Sequence, residues 1–353
     1  MYAVIIAGGK GERFWPYSRS HTPKQFLSMV GKITMLRATF DRITKIVPTE
    51  NIIVVTNKLF AKKVQSQLPE LEQENILIEP KRRNTAPAIG LAALYILELD
   101  PNAVMAVFPA DHVIRNQVKF QQAVRRARKT AERTDGLVTI GITPKQPETG
   151  YGYIQANLST ENQGSYKVKT FAEKPTIGTA RRFIKSGDFF WNSGMFVWKA
   201  SAILREMEDN IPEIYEPLAK LAGHFGDKTF PSKLNRAYSA IRATSVDYAV
   251  MEASQNVYMV KGEFEWNDLG SWEALYEISR KDKRGNVIDG DAVLIDTTNS
   301  LIKSSGKQIA AIGLENMVVV ASDDVLLICP RERVQEIKEI VDMLKKGSRK
   351  KYL

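Results

Sequence analysis

The sequence predicts an α/β protein with a doubly wound sheet, followed by a small β-rich segment. Two observations carry this prediction. Short apolar runs alternate with helix-period stretches through the first half of the chain, and from Gly285 the composition shifts to short runs broken by Gly, Asp, Asn and Ser. At 353 residues the chain is long enough for one large domain and a small one. We therefore expect domains over residues 1–275 and 285–353, the second ending in a helix.

The strands of the first half are apolar without alternation. Such runs are typical of parallel strands that helices cover on both faces. The segment 86–99 is apolar on every side, which predicts a buried helix. The predicted strands are AVIIA (3–7), NIIVVT (51–56), ILI (76–78), AVMAVF (103–108) and LVTIGI (137–142).

After Thr149 the pattern becomes mixed. We expect strands at 166–171 and 191–198, a helix near 177–186, and two long helical stretches at about 200–221 and 230–255. In the C-terminal segment Val287 and Val293 lie six residues apart, which suggests a β-helix-like coil. The final helix carries its apolar residues on one face, namely Val334, Ile337, Ile340, Val341 and Leu344.

Composition excludes several classes of protein. The single Cys329 excludes an internal disulfide, and no apolar run is long enough for a membrane span or a signal peptide, so we expect a cytoplasmic protein without a membrane partner. The net charge of +10 suits either nucleic acid or small anions. Outside the basic C-terminal tail the charges are scattered, and only the first loop and KRRN (81–84) place them beside glycine or proline turns. This distribution favours small phosphates over nucleic acid.

The first loop, VIIAGGKGERFWPYSRSHTPKQF (4–26), combines three glycines with paired cations. Bare glycines let backbone N–H groups approach a phosphate closely. The loop matches neither the Walker pattern nor the dinucleotide fingerprint, and Pro16 and Pro23 obstruct the helix that both require. Arg13 and Lys24 bring positive charge to the loop, and Lys10 is an additional cation. The loop is therefore predicted to hold a polyphosphate.

Two aspartates are candidate ligand-binding residues, because they are predicted at the carboxyl edge of the sheet, where ligands bind in open α/β folds. Asp111 lies in FPADH after a buried strand, and Asp268 lies in WNDLGSW. Each could instead cap a helix or a turn. A magnesium ion on nucleotide phosphates needs only one or two carboxylates, so the pair is sufficient for a metal site. The three histidines show no ligand spacing.

Gly8, Gly9, Gly11 and Arg13, followed by Pro23 and Lys24, resemble the signature of sugar-phosphate nucleotidyltransferases. The segments PKQFL, NTAPA, FAEKP, WNSGMF, VDYAVME and WNDLGSW narrow the resemblance to mannose-1-phosphate guanylyltransferases over about residues 1–275. This resemblance implies a Rossmann-like mixed sheet of the GT-A-like kind. It also implies Mg²⁺ or another divalent cation, held by Asp111 and Asp268.

The resemblance also implies residue roles. The catalytic residues would be Arg13, Lys24, Asp111 and Asp268. The nucleotide would be bound by Ala7, Gly8, Gly9, Gly11, Arg13, Lys24, Asn84, Thr85, Pro87 and Asp111, with Asn84 and Thr85 at the guanine. The sugar phosphate would be bound by Gly150, Glu173, Lys174 and Asn192.

The expected reaction is transfer of GMP from GTP to mannose 1-phosphate, which yields GDP-mannose and pyrophosphate. Three alternatives stay open. The same scaffold could serve a manno-heptose phosphate with GTP, or glucose 1-phosphate with a thymidine or uridine nucleotide. The chain could be a regulatory subunit that senses a sugar nucleotide without turnover. On charge alone it could bind nucleic acid, with steep salt dependence.

Long members of the family carry a further cupin-like isomerase domain after the β-rich segment. Because the sequence stops at Leu353, we expect the short form without that activity. Composition leaves two roles open for the β-rich segment, which are packing against the catalytic part and self-association as a homodimer.

Overall fold

A computed structural model describes residues 1–9 and 11–353, so Lys10 lies outside the described residues. Contacts divide the chain into two compact units. The first unit comprises Met1–Gly8, Thr39–Ala110 and Ile114–Trp266, and the second comprises Gly9–Ala38, Asp111–Val113 and Asn267–Leu353. Compact units need not coincide with consecutive domains, so the sequence-based division at residues 275 and 285 stays a prediction.

Among the described residues, eleven strands precede residue 270, and nine of them form one mixed sheet in the order β3-β2-β1-β4-β9-β6-β10-β8-β7. The strands are β1 Tyr2–Ile6, β2 Ile52–Asn57, β3 Ile76–Glu79, β4 Val104–Pro109, β5 Val113–Arg115, β6 Leu137–Ile142, β7 Tyr153–Asn162, β8 Ser165–Ala172, β9 Phe189–Lys199, β10 Val257–Gly262 and β11 Glu265–Asn267.

Neighbouring strands β3, β2, β1 and β4 are parallel, whereas β9 runs antiparallel to both β4 and β6. The five predicted strands of the first half are confirmed to within one residue at each end. They were predictable because both faces are covered: β2 and β6 are buried at every position.

Helices flank this sheet, and α3 is the most buried of them, as its apolar sequence predicts. The helices up to residue 240 are α1 Met35–Ile43, α2 Ala61–Gln67, α3 Thr85–Leu99, α4 Gln117–Thr134, α5 Ile177–Ser186, α6 Ala200–Asn210, α7 Pro212–Ala219 and α8 Phe230–Ala240. The prediction of one helical stretch over 200–221 is refined, because Pro212 begins a separate helix.

The predicted helical stretch over 230–255 is wrong in its second half. Helix α8 ends at Ala240, and the chain continues without regular secondary structure to a short π-helical turn, Asp247–Met251, before β10. The reason is tertiary. The backbone of Thr244 donates to Arg83 O and accepts from Ala86 N, at 3.0 and 3.1 Å, so this segment is drawn into the start of α3.

The β-rich C-terminal part lies within the second unit. Its strands are β12 Val287–Asp289, β13 Ala292–Ile295, β14 Leu301–Ser304, β15 Ile309–Ile312, β16 Met317–Ala321 and β17 Leu326–Pro330, with the helices α9 Trp272–Ile278 and α10 Ile337–Lys346. Strands β12, β14 and β16 are parallel neighbours, and β13 pairs with β15, as in successive turns of a coil. The β-helix-like prediction is confirmed.

One apolar cluster joins the first loop to this coil inside the second unit. Phe14 and Trp15 pack in the same cluster as Trp272, Val318 and Val341. The N-terminal loop is therefore built on the C-terminal part of the chain. Among the described helices, none combines the length and the apolar character that crossing a membrane would require.

Candidate active site

The glycine loop bends sharply at Gly11, which has φ +60°. A Cβ at this position would lie 2.7 Å from the Cβ of Lys24, so only glycine fits beside that lysine. The Ser18 hydroxyl donates to Gly11 O at 2.6 Å and holds the turn. Short 3₁₀ turns at Glu12–Phe14 and Lys24–Phe26 replace the α-helix that a dinucleotide loop would need.

Lys24 connects the two acidic segments of the second unit. Its Nζ lies 2.7 Å from Asp111 Oδ2 and donates to Asp268 O at 2.7 Å and to Leu269 O at 3.0 Å. Because an ammonium group has three protons, these contacts engage every donor of the side chain. Lys24 is buried with only 5% of its surface exposed, which its three acceptors make tolerable.

The carboxyl group of Asp111 is held in its ionised form. Burial alone would raise its pKa, but Lys24 and His112 outweigh that effect and keep the pKa below its ordinary value of 3.8. Asp268 lies in the following segment, where Gly270 leaves room for it: a Cβ on Gly270 would lie 3.1 Å from Asp268 Oδ2. Both aspartates are partly exposed.

The alternative role of the aspartates as helix caps is not supported. Helix α9 is capped by Ser271, whose hydroxyl accepts from Ala274 N at 3.2 Å. Helix α4 is capped by Asn116, whose side chain accepts from Lys119 N at 3.1 Å. The helices that follow Asp111 and Asp268 in the chain therefore begin on other side chains.

Both aspartates line a cavity of about 340 Å³, here called the glycine-loop pocket. Its charged side chains come from Glu12, Arg13, Lys24, Asp111, Asp268 and Lys338, and Gly11 contributes backbone. Among the described residues no three or more His, Cys, Asp and Glu side chains converge as a metal site. The donor set still fits a divalent cation on a polyphosphate, because two carboxylates suffice when water and substrate supply the other ligands.

A second cavity, of about 490 Å³, lies in the first unit and is called the Asn84 pocket. It is lined by Asn84, Thr85, Glu173, Lys174, Asp247 and Tyr248. Asn84 has φ 68° and caps α3 through its side chain, which accepts from Thr85 N at 2.9 Å. The Thr85 hydroxyl accepts from Val246 N at 2.9 Å. These bonds join the start of α3 to the segment before the π-helical turn.

Asn192 and Asp247 form a half-buried pair in the first unit. The Asn192 amide donates to Asp247 Oδ1 at 2.7 Å, while its own carbonyl oxygen accepts from Gly194 N at 3.1 Å. Burial raises the pKa of Asp247, and the nearby Glu173 carboxylate adds to the effect. Glu173 packs on Gly152, where a Cβ would lie 2.4 Å from Glu173 Oε2, and pairs with Lys174.

The remaining predicted residues are distributed over both units. Ala7 is buried, and its backbone donates to Val55 O at 2.8 Å and accepts from Thr56 Oγ1 at 3.0 Å, so it anchors the start of the loop. Gly150 N donates to Glu148 Oε1 at 3.0 Å. The other predicted positions are Gly8 at the end of the first unit's opening segment, Gly9 beside Gln25, and Pro87 buried in α3.

Three further residues were missed by sequence reasoning. Glu79 ends β3 and is buried, and its Oε1 has no hydrogen-bond partner among the described residues. Burial raises its pKa to about 7, although a hydrogen bond from Tyr238 and the charge of Arg82 lower it. Sequence reasoning could have chosen Glu79 because it lies at the carboxyl end of the predicted strand β3, where ligands bind in open α/β folds. His112 and Lys338 also line the glycine-loop pocket, and neither has a local signal.

Comparison with known proteins identifies the family of this chain. The family model described as nucleotidyl transferase matches residues 2–285. The chain belongs to the nucleotidyl transferase family. A second model, described as a mannoseP isomerase/GMP-like β-helix domain, matches residues 290–344 of this nucleotidyl transferase. The predicted family and fold class are confirmed. Enzymes of this family typically use a divalent cation.

Individual relatives agree. The nucleotidyl transferase is 42% identical over 354 residues to the mannose-1-phosphate guanylyltransferase RfbM of Salmonella typhimurium, covering 99% of this chain and 73% of that protein. It is 41% identical to the mannose-1-phosphate guanylyltransferase of Klebsiella pneumoniae, covering 99% and 75%. A crystal structure from Thermus thermophilus, described as a mannose-1-phosphate geranyltransferase, has a TM-score of 0.88 at 30% identity and covers 98% of this chain and 99% of that chain.

Proposed function

We propose that this nucleotidyl transferase moves GMP from GTP to mannose 1-phosphate, forming GDP-mannose and pyrophosphate. The observation that carries the proposal is the junction of Lys24, Asp111 and the Asp268 segment in the glycine-loop pocket. Cations and carboxylates beside a glycine turn are what a metal-bound triphosphate requires. The choice of guanine and mannose is supported by the names of the relatives.

The triphosphate is assigned to the glycine-loop pocket. Gly11 keeps the backbone bare at the turn, and the exposed Arg13 lines the pocket with five donors on a planar group. Charge-assisted hydrogen bonds from such a group to phosphate oxygens are among the strongest polar contacts available to a protein. Arg13 therefore binds and orients the triphosphate.

Lys24 has a different part in this proposal. Because all three of its donors are engaged, a phosphate oxygen reaches Nζ only by replacing Asp111 or a backbone carbonyl. In the free enzyme Lys24 positions Asp111 and the Asp268 segment. When the α-phosphate arrives, Lys24 exchanges one acceptor and brings its charge to the phosphoryl group that is transferred.

Asp111 and Asp268 would hold the divalent cation. The lowered pKa of Asp111 supports this assignment, since an ionised carboxylate is the form that binds a metal. When bound, the cation would neutralise charge on the phosphoryl oxygens.

The base is assigned to Asn84, Thr85 and Glu79. Asn84 and Thr85 lie at the start of α3 and line the Asn84 pocket. Glu79 Oε2 lies beside Gly8 in the first unit, since a Cβ on Gly8 would lie 3.8 Å from it. Guanine carries an amino group at C2 that adenine lacks. The Glu79 carboxylate is a suitable acceptor for this group, and its other oxygen, Oε1, accepts no hydrogen bond among the described residues.

The sugar phosphate is assigned to Glu173, Lys174 and Asn192, with the Gly150 backbone. A carboxylate accepts hydrogen bonds from neighbouring hydroxyls, and a lysine is a point charge for phosphate. Lys174 is exposed and has φ 47°, a conformation that few non-glycine residues adopt. The half-buried Asn192–Asp247 pair orients the Asn192 amide for a sugar hydroxyl.

The chemistry needs no general base, because a phosphate monoester is already anionic at neutral pH. An oxygen of mannose 1-phosphate attacks the α-phosphorus of GTP in line. The bond from the α-phosphorus to the bridging oxygen of the β-phosphate breaks, and that oxygen leaves with its electron pair as pyrophosphate. Catalysis is thus positioning and charge stabilisation.

A substrate panel tests the proposal. The full chain is incubated with Mg²⁺, each of four nucleoside triphosphates and each sugar 1-phosphate (mannose, glucose and a manno-heptose), and pyrophosphate is measured. We expect the highest turnover with GTP and mannose 1-phosphate. Preference for another pair would overturn the assigned specificity, and sugar-nucleotide binding without turnover on any pair would identify a regulatory subunit.

A further inference from the structure

The C-terminal helix α10 contributes a side chain to the glycine-loop pocket. Lys338, in its first turn, lines the pocket together with Arg13 and Asp268. Lys338 is exposed, so its ammonium group is accessible to a ligand in that pocket. The remaining residues of the pocket come from the first loop and from the segments around residues 111 and 268. The C-terminal part of the chain thus reaches a site that the sequence assigned to the catalytic part alone.

The position of α10 is set by the loop itself. Lys345 Nζ lies 3.2 Å from Glu12 Oε2 and 2.8 Å from Asp342 Oδ1, which links the helix to the residue before Arg13. Ile337 and Val341 pack in the same apolar cluster as Phe14. Lys338 is therefore presented to the pocket by a helix that is anchored on both sides of it.

The chain end strengthens the same attachment. The Trp15 indole donates to Tyr352 O at 2.7 Å, and the Arg19 guanidinium donates to the same oxygen at 2.5 Å. The segment that follows Arg13 is thus tied to the residues that follow α10.

The charges of the pocket leave a role for another cation. Asp111, Asp268 and Glu12 line it, and Glu12 is paired with Lys345. The donors of Lys24 are all engaged with Asp111 and backbone carbonyls. A bound triphosphate adds several negative charges. Apart from Lys24, the basic side chains that line this pocket, among the described residues, are Arg13, His112 and Lys338. A lysine at this place offers a point charge to phosphate oxygens.

We propose that Lys338 binds the β- and γ-phosphates of the nucleotide, and hence the pyrophosphate product, so that the β-helix-like part completes the active site. The assignment to these phosphates follows from the lining of the two pockets. Lys338 belongs to the pocket that contains none of the residues assigned to the base or to the sugar. This inference rests on the proposed function for the identity of the nucleotide.

The test compares Lys338→Ala and Lys338→Arg with the matched control Lys346→Ala. Lys346 is exposed at the end of the same helix and does not line the pocket. We expect Lys338→Ala to raise the KM for GTP, and for pyrophosphate in the reverse reaction, about tenfold, the loss of one charge-assisted hydrogen bond. The KM for mannose 1-phosphate should stay unchanged. Lys338→Arg should stay within about threefold of the unmodified enzyme, as should Lys346→Ala.

Equilibrium binding separates this inference from the proposed function. Calorimetric titration with inorganic pyrophosphate, and with GTP against GMP, needs no turnover. We expect Lys338→Ala to weaken pyrophosphate and GTP binding about tenfold and to leave GMP binding unchanged. Equal pyrophosphate affinity in Lys338→Ala and the unmodified chain overturns the inference, as does an equal loss in Lys346→Ala. An unmodified chain that binds pyrophosphate but does not form GDP-mannose overturns only the proposed function.

A loss of folding is distinguished from a loss of binding by the melting temperature. Because Lys338 is exposed, Lys338→Ala should melt within a few degrees of the unmodified chain. If it does not, Lys338→Gln is used instead, because it removes the charge but keeps a polar side chain with most of the aliphatic stem. Normal pyrophosphate affinity in that variant also overturns the inference.

Discussion

The Nζ atom of Lys24 lies 2.7 Å from Oδ2 of Asp111, although the two residues belong to segments that are far apart in sequence. The same ammonium group donates to the backbone at Asp268 and Leu269. One buried lysine therefore holds together the glycine loop and both acidic segments of the second unit. A change at any of these points should affect the others, which guides the first two predictions.

The first prediction concerns Asp111→Asn. The amide keeps the shape of the side chain but removes the charge that a cation and Lys24 require, so pyrophosphate release should fall by at least about a thousandfold. Lys24 keeps its two carbonyl acceptors, so the far-ultraviolet circular dichroism spectrum should be retained. Near-normal pyrophosphate release by the folded variant would reject the metal-binding role of Asp111.

The second prediction concerns Gly11→Ala, with Gly31→Ala as a matched control. Both glycines have positive φ, at 60° and 79°, so each substitution introduces left-handed strain of about 1–2 kcal/mol. Only at Gly11 does the new Cβ meet another residue, Lys24, at 2.7 Å, whereas nothing lies within 4 Å of a Cβ at Gly31. Gly11→Ala should therefore lose at least about 1 kcal/mol more of unfolding free energy in urea, together with activity. Equal losses would contradict the close contact.

The third prediction concerns the pH dependence of stability at Glu79. Burial raises its pKa from 4.5 to about 7, so ionisation costs the folded state free energy. The stability that protonated Glu79 contributes is fully present below pH 4.5, its pKa in the unfolded chain. This stability is lost as the pH rises through about 7, its pKa in the folded protein. Glu79→Gln should therefore raise the unfolding free energy at pH 8 by about 2–3 kcal/mol and change it little at pH 4.5.

Urea denaturation at the two pH values checks this prediction, and Glu208→Gln serves as the control because Glu208 is exposed on α6. A stabilisation of Glu79→Gln that does not depend on pH would contradict the raised pKa. If Glu79 reads the base, as proposed, the same variant should lose preference for GTP. A buried carboxylate that lowers stability yet supports specificity is a common feature of functional sites.

The fourth prediction concerns Glu173→Gln in the Asn84 pocket. The amide preserves the volume of the side chain on Gly152 but loses an acceptor for sugar hydroxyls and the ion pair with Lys174. We expect the KM for mannose 1-phosphate to rise about tenfold while the KM for GTP changes little. Steady-state kinetics with each substrate varied in turn measure both values. A rise in the KM for GTP alone would show that Glu173 contacts the nucleotide and not the sugar phosphate.

Much of the fold was predictable from local patterns. The five strands of the first half are continuous apolar runs, and α3 is apolar all round, so their composition alone predicts that they are buried. Strand β10 and the irregular segment before the π-helical turn were not predictable. Thr244 is held by backbone hydrogen bonds to Arg83 and Ala86, and such bonds form only after distant segments meet.

The candidate site divides in the same way. Asp111 and Asp268 could be chosen because they follow strand and turn signals, and the helix caps prove to be Asn116 and Ser271 instead. Glu79 carried a weaker signal, its place at the end of β3. Lys338 carried none, because one lysine on a basic amphipathic helix looks like the others.

By itself the sequence determined the α/β class, the family resemblance and the chemistry of the first loop, because each depends on residue types at short spacing. Only the tertiary structure decided which groups contact the side chains of the first loop. It engaged all three donors of Lys24, left an oxygen of buried Glu79 without a hydrogen bond among the described residues, and brought Lys338 from the C-terminal helix to the glycine loop. The physical reason is that burial and long-range hydrogen bonds are properties of packed surfaces, which no local stretch of sequence contains.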